Sequence, residues 1–458
     1  RKCLTLRVPV KRVRGNGERE EPLVGLRLAP ATSAMKIAIV GTGISGLVSA
    51  WLLQREHEVT VFEARDRIGG HTHTVDVELA GRSYAVDTGF IVHNDRTYPN
   101  LQRIFAELGV RTKATSMSFS VREDATGLEY SSQSLLAQRR NVLNPRILGM
   151  TRDILRFNRD AERLLEEGDQ STTLAELLLE RRYSRHFIDL YVVPMGASIW
   201  STDPERMLGF PAHTFIRFLN NHGLTRLRDR PTWFVVDGGS SDYVRRMIAP
   251  FEHRIRLGSP VDRIRRDADG VLLTTRGGSP QRFDRVVIAS HSDQALRMLE
   301  DPSPAEREVL GAMQYQSNEV VLHTDASLLP RAKRAWASWN YLVPKHRSDK
   351  VVVSYDMNAL QGIDAPETFC VSLNAGDRID PECVLFRTQY AHPLYTAASV
   401  AAQARRDEVS GPRNTFYCGA YWRYGFHEDG VVSALTVAEQ LGIRLDSPPR
   451  SWSAEAAE

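Results

Sequence analysis

The sequence predicts an α/β fold in which a parallel sheet flanked by helices is interrupted by an inserted α+β domain. Three observations carry this. A β-branched run at 36–40 passes at once into a glycine-spaced turn, an apolar helix and a second short run at 58–63. Strand-like runs return far down the chain, at 319–323, 351–355 and 368–372. The segments between them are apolar and read mostly as helices. Short continuous apolar runs joined through helices mark strands buried on both faces of a parallel sheet.

The first unit is the most informative. Lys36–Val40 reads as a buried strand, and Gly41-Thr42-Gly43-Ile44-Ser45-Gly46 follows it directly. Leu47–Leu53 reads as a helix and Glu58–Glu63 as the second strand. Gly41 permits the tight turn, Gly43 lets backbone approach a pyrophosphate, and Gly46 lets the helix pack closely on the strand. The helix N-terminus, at Ile44 and Ser45, offers unpaired N–H groups and its positive dipole end to phosphates. Glu63 ends the second strand, placed to accept from a ribose hydroxyl. Glycine spacing, strand, helix and acid together predict dinucleotide binding.

Within the apolar middle, Thr151–Leu165, Thr173–Glu180, His186–Val193 and Arg206–Asn220 are helix candidates, with Pro194, Pro204 and Pro211 expected to break or open some of them. Glu319–His323, Val351–Tyr355 and Thr368–Ser372 read as strands. The expected division is a discontinuous nucleotide-binding domain over 35–115, 234–315 and 412–445, and a substrate domain over 116–233 and 316–411. Residues 1–34 are expected to be a disordered leader and 446–458 a tail.

Composition excludes several classes. The chain has 458 residues, 42% apolar and 25% charged, which suits a globular protein with a sizeable core. Cys3, Cys370, Cys383 and Cys418 form no C-x-x-C pair, so a zinc ribbon or dithiol site is not expected, and a reducing, cytoplasmic setting is. No metal is expected either, because His71, His73 and His93 have no Cys or carboxylate at ligand spacing. No apolar run approaches the roughly 20 residues of a transmembrane helix. The net charge of +3 comes from residues 1–34, where eight Lys/Arg face three Glu, so the remainder is slightly acidic and nucleic acid is not an expected partner. Met35 stands just before the first strand, and residues 1–34 read as an upstream extension in preference to an Arg-rich transit peptide.

Further motifs narrow the cofactor. Glu63-Ala64-Arg65-Asp66-Arg67-Ile68-Gly69-Gly70-His71 places a second glycine pair after the ribose acid, where a nicotinamide dehydrogenase has no use for one. Here the chain resembles the flavin-containing amine oxidase superfamily, which includes phytoene desaturases and protoporphyrinogen oxidase. Matches continue through Val86–His93, Phe234–Gly239 and Tyr243, Val261–Ile264, Asp284–Ala289, Phe416–Gly419 and Gly425–Ala434. The resemblance implies FAD bound in a Rossmann-like domain of the glutathione-reductase type. It places Ala64, Gly70 and His71 beside FAD, Gly89 and Phe90 beside the flavin ring, Val261 at the adenine, and Gly419 at the C-terminal flavin motif. It also implies a helix beginning at Gly430 and Val431, with its N-terminus toward the flavin N1/C2=O edge.

Three departures from that family bear on chemistry. His71 stands where amine oxidases commonly have Arg, and Ala420 where they have an acid near the ribityl chain. Asn318-Glu319 stands where they place a Lys near flavin N5. Glu319 and His427, the latter at the position of a substrate-sandwiching Tyr, are therefore the candidate catalytic residues. Trp339, Tyr341 and the 89–98 segment resemble a bacterial branch linked with modification of lipid acyl chains. The expected function is an FAD-dependent oxidoreductase that dehydrogenates a hydrophobic substrate, an acyl chain foremost, by hydride transfer to the flavin. Amine oxidation and flavin binding without turnover are the alternatives. Met207–Leu219 is apolar enough to line a long pocket, and the resemblance leaves peripheral membrane contact open.

Overall fold

Lys36–Val40 (β1), Glu58–Phe62 (β2), Ile255–Arg256 (β3), Arg285–Ile288 (β4) and Thr415–Tyr417 (β5) pair in the order β3-β2-β1-β4-β5. Every pairing is parallel. Strand order reverses at the β1–β4 boundary, the place where doubly wound sheets open a crevice beyond their carboxyl ends. The computed structural model describes residues 34–167, 172–226, 228–345 and 350–446. Those from Met35 onward make one unit. The expected leader and tail lie outside the described residues, apart from Ala34 and Asp446.

All ten residues of the helix Ile44–Leu53 (α1) are buried. It is sandwiched between the sheet and the helix His427–Gln440 (α2), with Leu47, Leu52, Val431 and Val437 in one apolar core. A Cβ on Gly430 would sit 2.7 Å from Ile44 Cγ2 and 2.9 Å from Ser45 Oγ. That glycine therefore sets how closely α2 crosses α1, and the Ser45 hydroxyl donates to the Gly430 carbonyl at 3.0 Å.

Among the described residues, a second sheet has seven strands: Val384–Leu394, Gln314–His323, Cys370–Leu373, Val353–Asp356, Trp339–Val343, Phe119–Glu123 and Leu128–Ser131, in that spatial order. The chain segments before and after the nucleotide sheet's middle strands meet here, because Trp339–Val343 runs parallel to Phe119–Glu123 with Trp339 opposite Phe119. The strands Phe119–Glu123 and Leu128–Ser131 correct the expectation that the earlier segment is helical.

One proline departs from the sequence reading, while Pro204 and Pro211 open and divide helices as it expects. Pro194 does not break its helix. Arg185–Phe187 widens into a π-turn over Ile188–Val192, and a new helix runs over Val193–Trp200 with Pro194 in its first turn. The Leu190 carbonyl, four residues before Pro194 and so deprived of its N–H partner, accepts from the Tyr130 hydroxyl instead. Arg206–Asn220 is split in two by Pro211, into Pro204–Leu208 and Ala212–Asn221.

Candidate functional site

A cavity of about 1350 Å³ runs from the β1–α1 turn to the inner face of the seven-stranded sheet. Gly41, Gly43, Ile44, Ser45, Glu63, Ala64, Gly70, His71, Gly89, Phe90, Val261, Gly419 and His427 all contribute to its wall. The structure thus brings together most of the residues singled out from the sequence. Gly46, Gly430 and Val431 lie behind the wall. A Cβ on Gly46 would fall well inside contact of the Gly41 carbonyl, so this glycine fixes the α1–β1 approach.

The nucleotide end is built by local geometry. Gly41 has φ +104°, which favours glycine, and its N–H donates to the Phe62 carbonyl at 2.8 Å, tying the turn to β2. Gly43 caps α1 with no side-chain acceptor, and an added Cβ there would meet nothing within 4 Å. The α1 N–H groups therefore face open space, as a pyrophosphate requires. Glu63 takes N–H bonds at 2.9 Å from Thr42 and from Arg65, and the Thr42 hydroxyl besides. Arg65, Arg276 and Arg297 line the same end, supplying positive charge. Replacing Glu63 with Ala is expected to weaken FAD binding by roughly ten- to a hundredfold, the cost of one charge-assisted hydrogen bond. Fluorescence titration of the folded variant checks this, and unchanged affinity would place the ribose contact elsewhere.

Around the middle of the cavity stands a group of uncharged rings. His71 lies 4.8 Å from Tyr390, 5.5 Å from His392 and 6.1 Å from His291, centroid to centroid. His291 in turn stacks on Tyr315 at 4.4 Å. Burial pushes the imidazolium forms of His71, His291 and His392 down, His392 to about 4. His71 Nε2 is buried with no hydrogen-bond partner among the described residues. An open glycine cradle, arginines and an unfilled polar atom at the cavity's centre fit a dinucleotide flavin.

His427 belongs to this site. Its ring stacks on Phe90 at 3.7 Å, and its Nε2 lies 3.0 Å from the Thr72 hydroxyl and 3.2 Å from that of Tyr243. Burial lowers its pKa to about 3, so it stands neutral at physiological pH. The α2 helix begins at His427, not at Gly430 as expected. Asp429 folds back to accept from the N–H groups of Phe426 at 2.9 Å and Tyr424 at 3.2 Å, closing a turn earlier.

Glu319 does not join the site. It is absent from the cavity wall, and it pairs with Arg387 at 2.9 Å on the neighbouring strand. That corrects its candidacy as a catalytic residue. Its neighbour Asn318 is wholly buried and donates to the Ser201 carbonyl and to His392 Nδ1, each at 2.9 Å. His392 is thereby fixed with Nδ1 as acceptor and the ring proton on Nε2. The expectation that Met207–Leu219 lines the pocket is corrected too. Phe210 and Phe215 pack on Trp200 in a helical core, and only Phe218 of the three reaches the cavity.

Sequence reasoning missed Gln389, Tyr390, His392 and Pro393, which the strand Val384–Leu394 delivers to the wall. The signal was partial, an alternation of Phe386, Thr388 and Tyr390 with exposed Leu385 and Arg387, which Gln389 breaks by reaching the wall.

Comparison with known proteins adds to this geometry. The sequence profile of the family described as flavin containing amine oxidoreductase matches residues 44–357. The chain is similar to an L-amino-acid oxidase of Siganus canaliculatus, 26% identical over 329 residues that make up 64% of this chain and 57% of that protein. It thus spans under two thirds of that curated relative's length. In fold it is similar to cyclohexylamine oxidase from Brevibacterium oxydans, with TM-score 0.64, 17% identity, and 89% of this chain and 100% of that one covered. It is equally similar to a CLA-producing fatty acid isomerase from P. acnes, with TM-score 0.64, 16% identity, and 88% and 97% covered.

Proposed function

The chain belongs to the flavin-containing amine oxidoreductase family, whose members bind FAD, and on that premise we propose that it is an FAD-dependent oxidoreductase that dehydrogenates an apolar substrate, an acyl chain foremost. One observation carries the substrate class. Among the described residues, the only carboxylates on the cavity wall are Glu63 and Asp262, both at the nucleotide end. The far end is made of side chains such as Met117, Leu135, Ile154, Met195, Trp339 and Leu373. It offers no anion to a protonated amine, and burying an unpaired ammonium there is costly. The fatty acid isomerase of the same fold supports this reading, and the oxidases of amines and amino acids support the alternative that an amine is oxidised.

FAD, when bound, supplies a hydride acceptor. The protein's part is orientation and exclusion of water. Neutral His71, His392 and His427 line the site as polar but uncharged surface, and apolar walls hold the chain to be oxidised. Such a substrate resides in membranes, so we include peripheral contact with a lipid surface in the reading. No helix among the described residues is long and apolar enough to cross a membrane.

The test is a homologous series of acyl substrates, followed by flavin reduction under anaerobic conditions. Each further methylene buried in the cavity contributes about 0.8 kcal/mol, so the saturation constant should fall about fourfold per methylene until the cavity is full. A series without length dependence, or saturable reduction by short amines alone, would overturn the apolar reading.

A further inference from the structure

Large exposed apolar side chains concentrate in one stretch of the surface. Leu136, Val142, Leu143, Leu148 and Leu155 are all exposed, Leu143 to 85%. Over the first four turns of the helix Pro145–Glu167 the outward positions are Pro145, Leu148, Arg152, Leu155 and Arg159, at spacings of three and four residues, and Glu162, Arg163 and Glu166 follow them outward in its last turns. Over those four turns one helix face therefore carries leucines and arginines alternately. The opposite face buries Ile147, Met150, Phe157 and Ala161. Exposed leucines so grouped do not serve the fold and mark an interaction surface.

Charge identifies the partner. From Leu136 to Arg159 there are six arginines and one acid, and that acid, Asp153, has no exposed surface, whereas the rest of the helix is acidic, with Asp160, Glu162, Glu166 and Glu167 against Arg163. Arg139 and Arg159 have no carboxylate partner among the described residues. A protein partner burying these leucines would need matching carboxylates, whereas an anionic bilayer offers apolar depth and a plane of negative charge together. The same helix places Ile154 and Asn158 on the cavity wall, as the preceding loop places Leu135. The leucine–arginine face thus lies one helix thickness from the apolar end of the cavity.

We propose that the surface formed by residues 136–159 docks on an anionic lipid membrane, with the first four turns of the helix Pro145–Glu167 at the interface and its acidic last turns directed away from it. The proposal rests on the acyl-substrate reading only for its purpose, since supply from the bilayer would then need no crossing of water.

The experiment is co-sedimentation of the full FAD-loaded chain with phosphatidylcholine vesicles, with and without phosphatidylglycerol, at low and high salt. Binding should require phosphatidylglycerol and weaken with salt. Leu143→Glu with Leu148→Glu, and separately Arg139→Glu with Arg159→Glu, should each weaken it by at least about tenfold. All four side chains are solvent-facing, so thermal stability and bound flavin should be unchanged. Failure of the parent to bind phosphatidylglycerol vesicles, or binding undiminished in either double variant, overturns the proposal. A concentration-dependent dimer abolished by Leu143→Glu, without vesicle binding, would assign the surface to a second copy. Flavin reduction by detergent-dispersed acyl substrate reads the substrate separately, and should be the same in parent and variants.

Discussion

Gly43→Val is expected to leave the fold intact and lower FAD affinity by at least about a hundredfold, a loss of roughly 2.7 kcal/mol. The backbone at Gly43 is in ordinary extended geometry, φ −64° and ψ 173°, and space beside its Cα is open, so a side chain costs the protein little. The space it would fill is where the α1 N–H groups meet the pyrophosphate. Gly46→Val should behave in the opposite way. Its Cβ would meet the Gly41 carbonyl and lie 3.2 Å from the Ala289 Cβ, so α1 must lift from the sheet. Overpacking of that kind costs about 1–3 kcal/mol or more, and melting temperature should fall before any question of cofactor arises. Thermal melting and FAD titration of both variants check the pair. A Gly43→Val protein that retains FAD would contradict the placement of the pyrophosphate.

The second large effect is acid lability. His93, His222 and His323 are buried in the fold, and burial lowers each to about 4 from an ordinary 6.5. The unfolded chain then binds more protons than the folded one between pH 6.5 and 4. Stability from these rings is fully present above pH 6.5 and is lost as pH falls through 4, on the order of 3 kcal/mol per ring. Asp87 and Asp429 oppose this. Burial raises both to about 6, so their contribution is present below 3.8 and is lost as pH rises through 6. Three buried rings outweigh two acids that also keep hydrogen bonds from Ser240, Thr74, Phe426 and Tyr424. Melting temperature should drop by about 4 °C from pH 6.5 to 4. His323→Gln should flatten that slope, because protonating Nδ1 would break the bond it accepts from the Asp325 N–H at 3.1 Å. A melting temperature independent of pH across this window would contradict the burial of neutral rings.

What the sequence made legible was local chemistry. Gly41, Gly43 and Glu63 act through the backbone beside them, so a turn, a helix start and a strand end could be read in place. The parallel sheet followed from short apolar runs for the same reason. Long-range pairing was not legible. Glu319 looked available until the fold brought Arg387 to it from 68 residues away. Gly430 read as a cofactor contact, although its requirement comes from α1, 385 residues earlier in the chain. The Val384–Leu394 strand escaped because Arg387, Thr388, Gln389 and His392 dilute its apolar pattern, yet it carries Tyr390 and His392 into the cavity. The outer face of Pro145–Glu167 escaped for a related reason, since helical periodicity marks an apolar position without saying which side it faces.

The central claim is that FAD occupies the glycine-lined end of one cavity and an apolar substrate the other. Its most direct test is anaerobic mixing of the FAD-loaded chain with a fatty acyl compound or with a short primary amine, watching the flavin absorbance. Bleaching by the acyl compound, saturable and absent with the amine, is the predicted result. Rapid bleaching by the amine with none by the acyl compound would contradict the account.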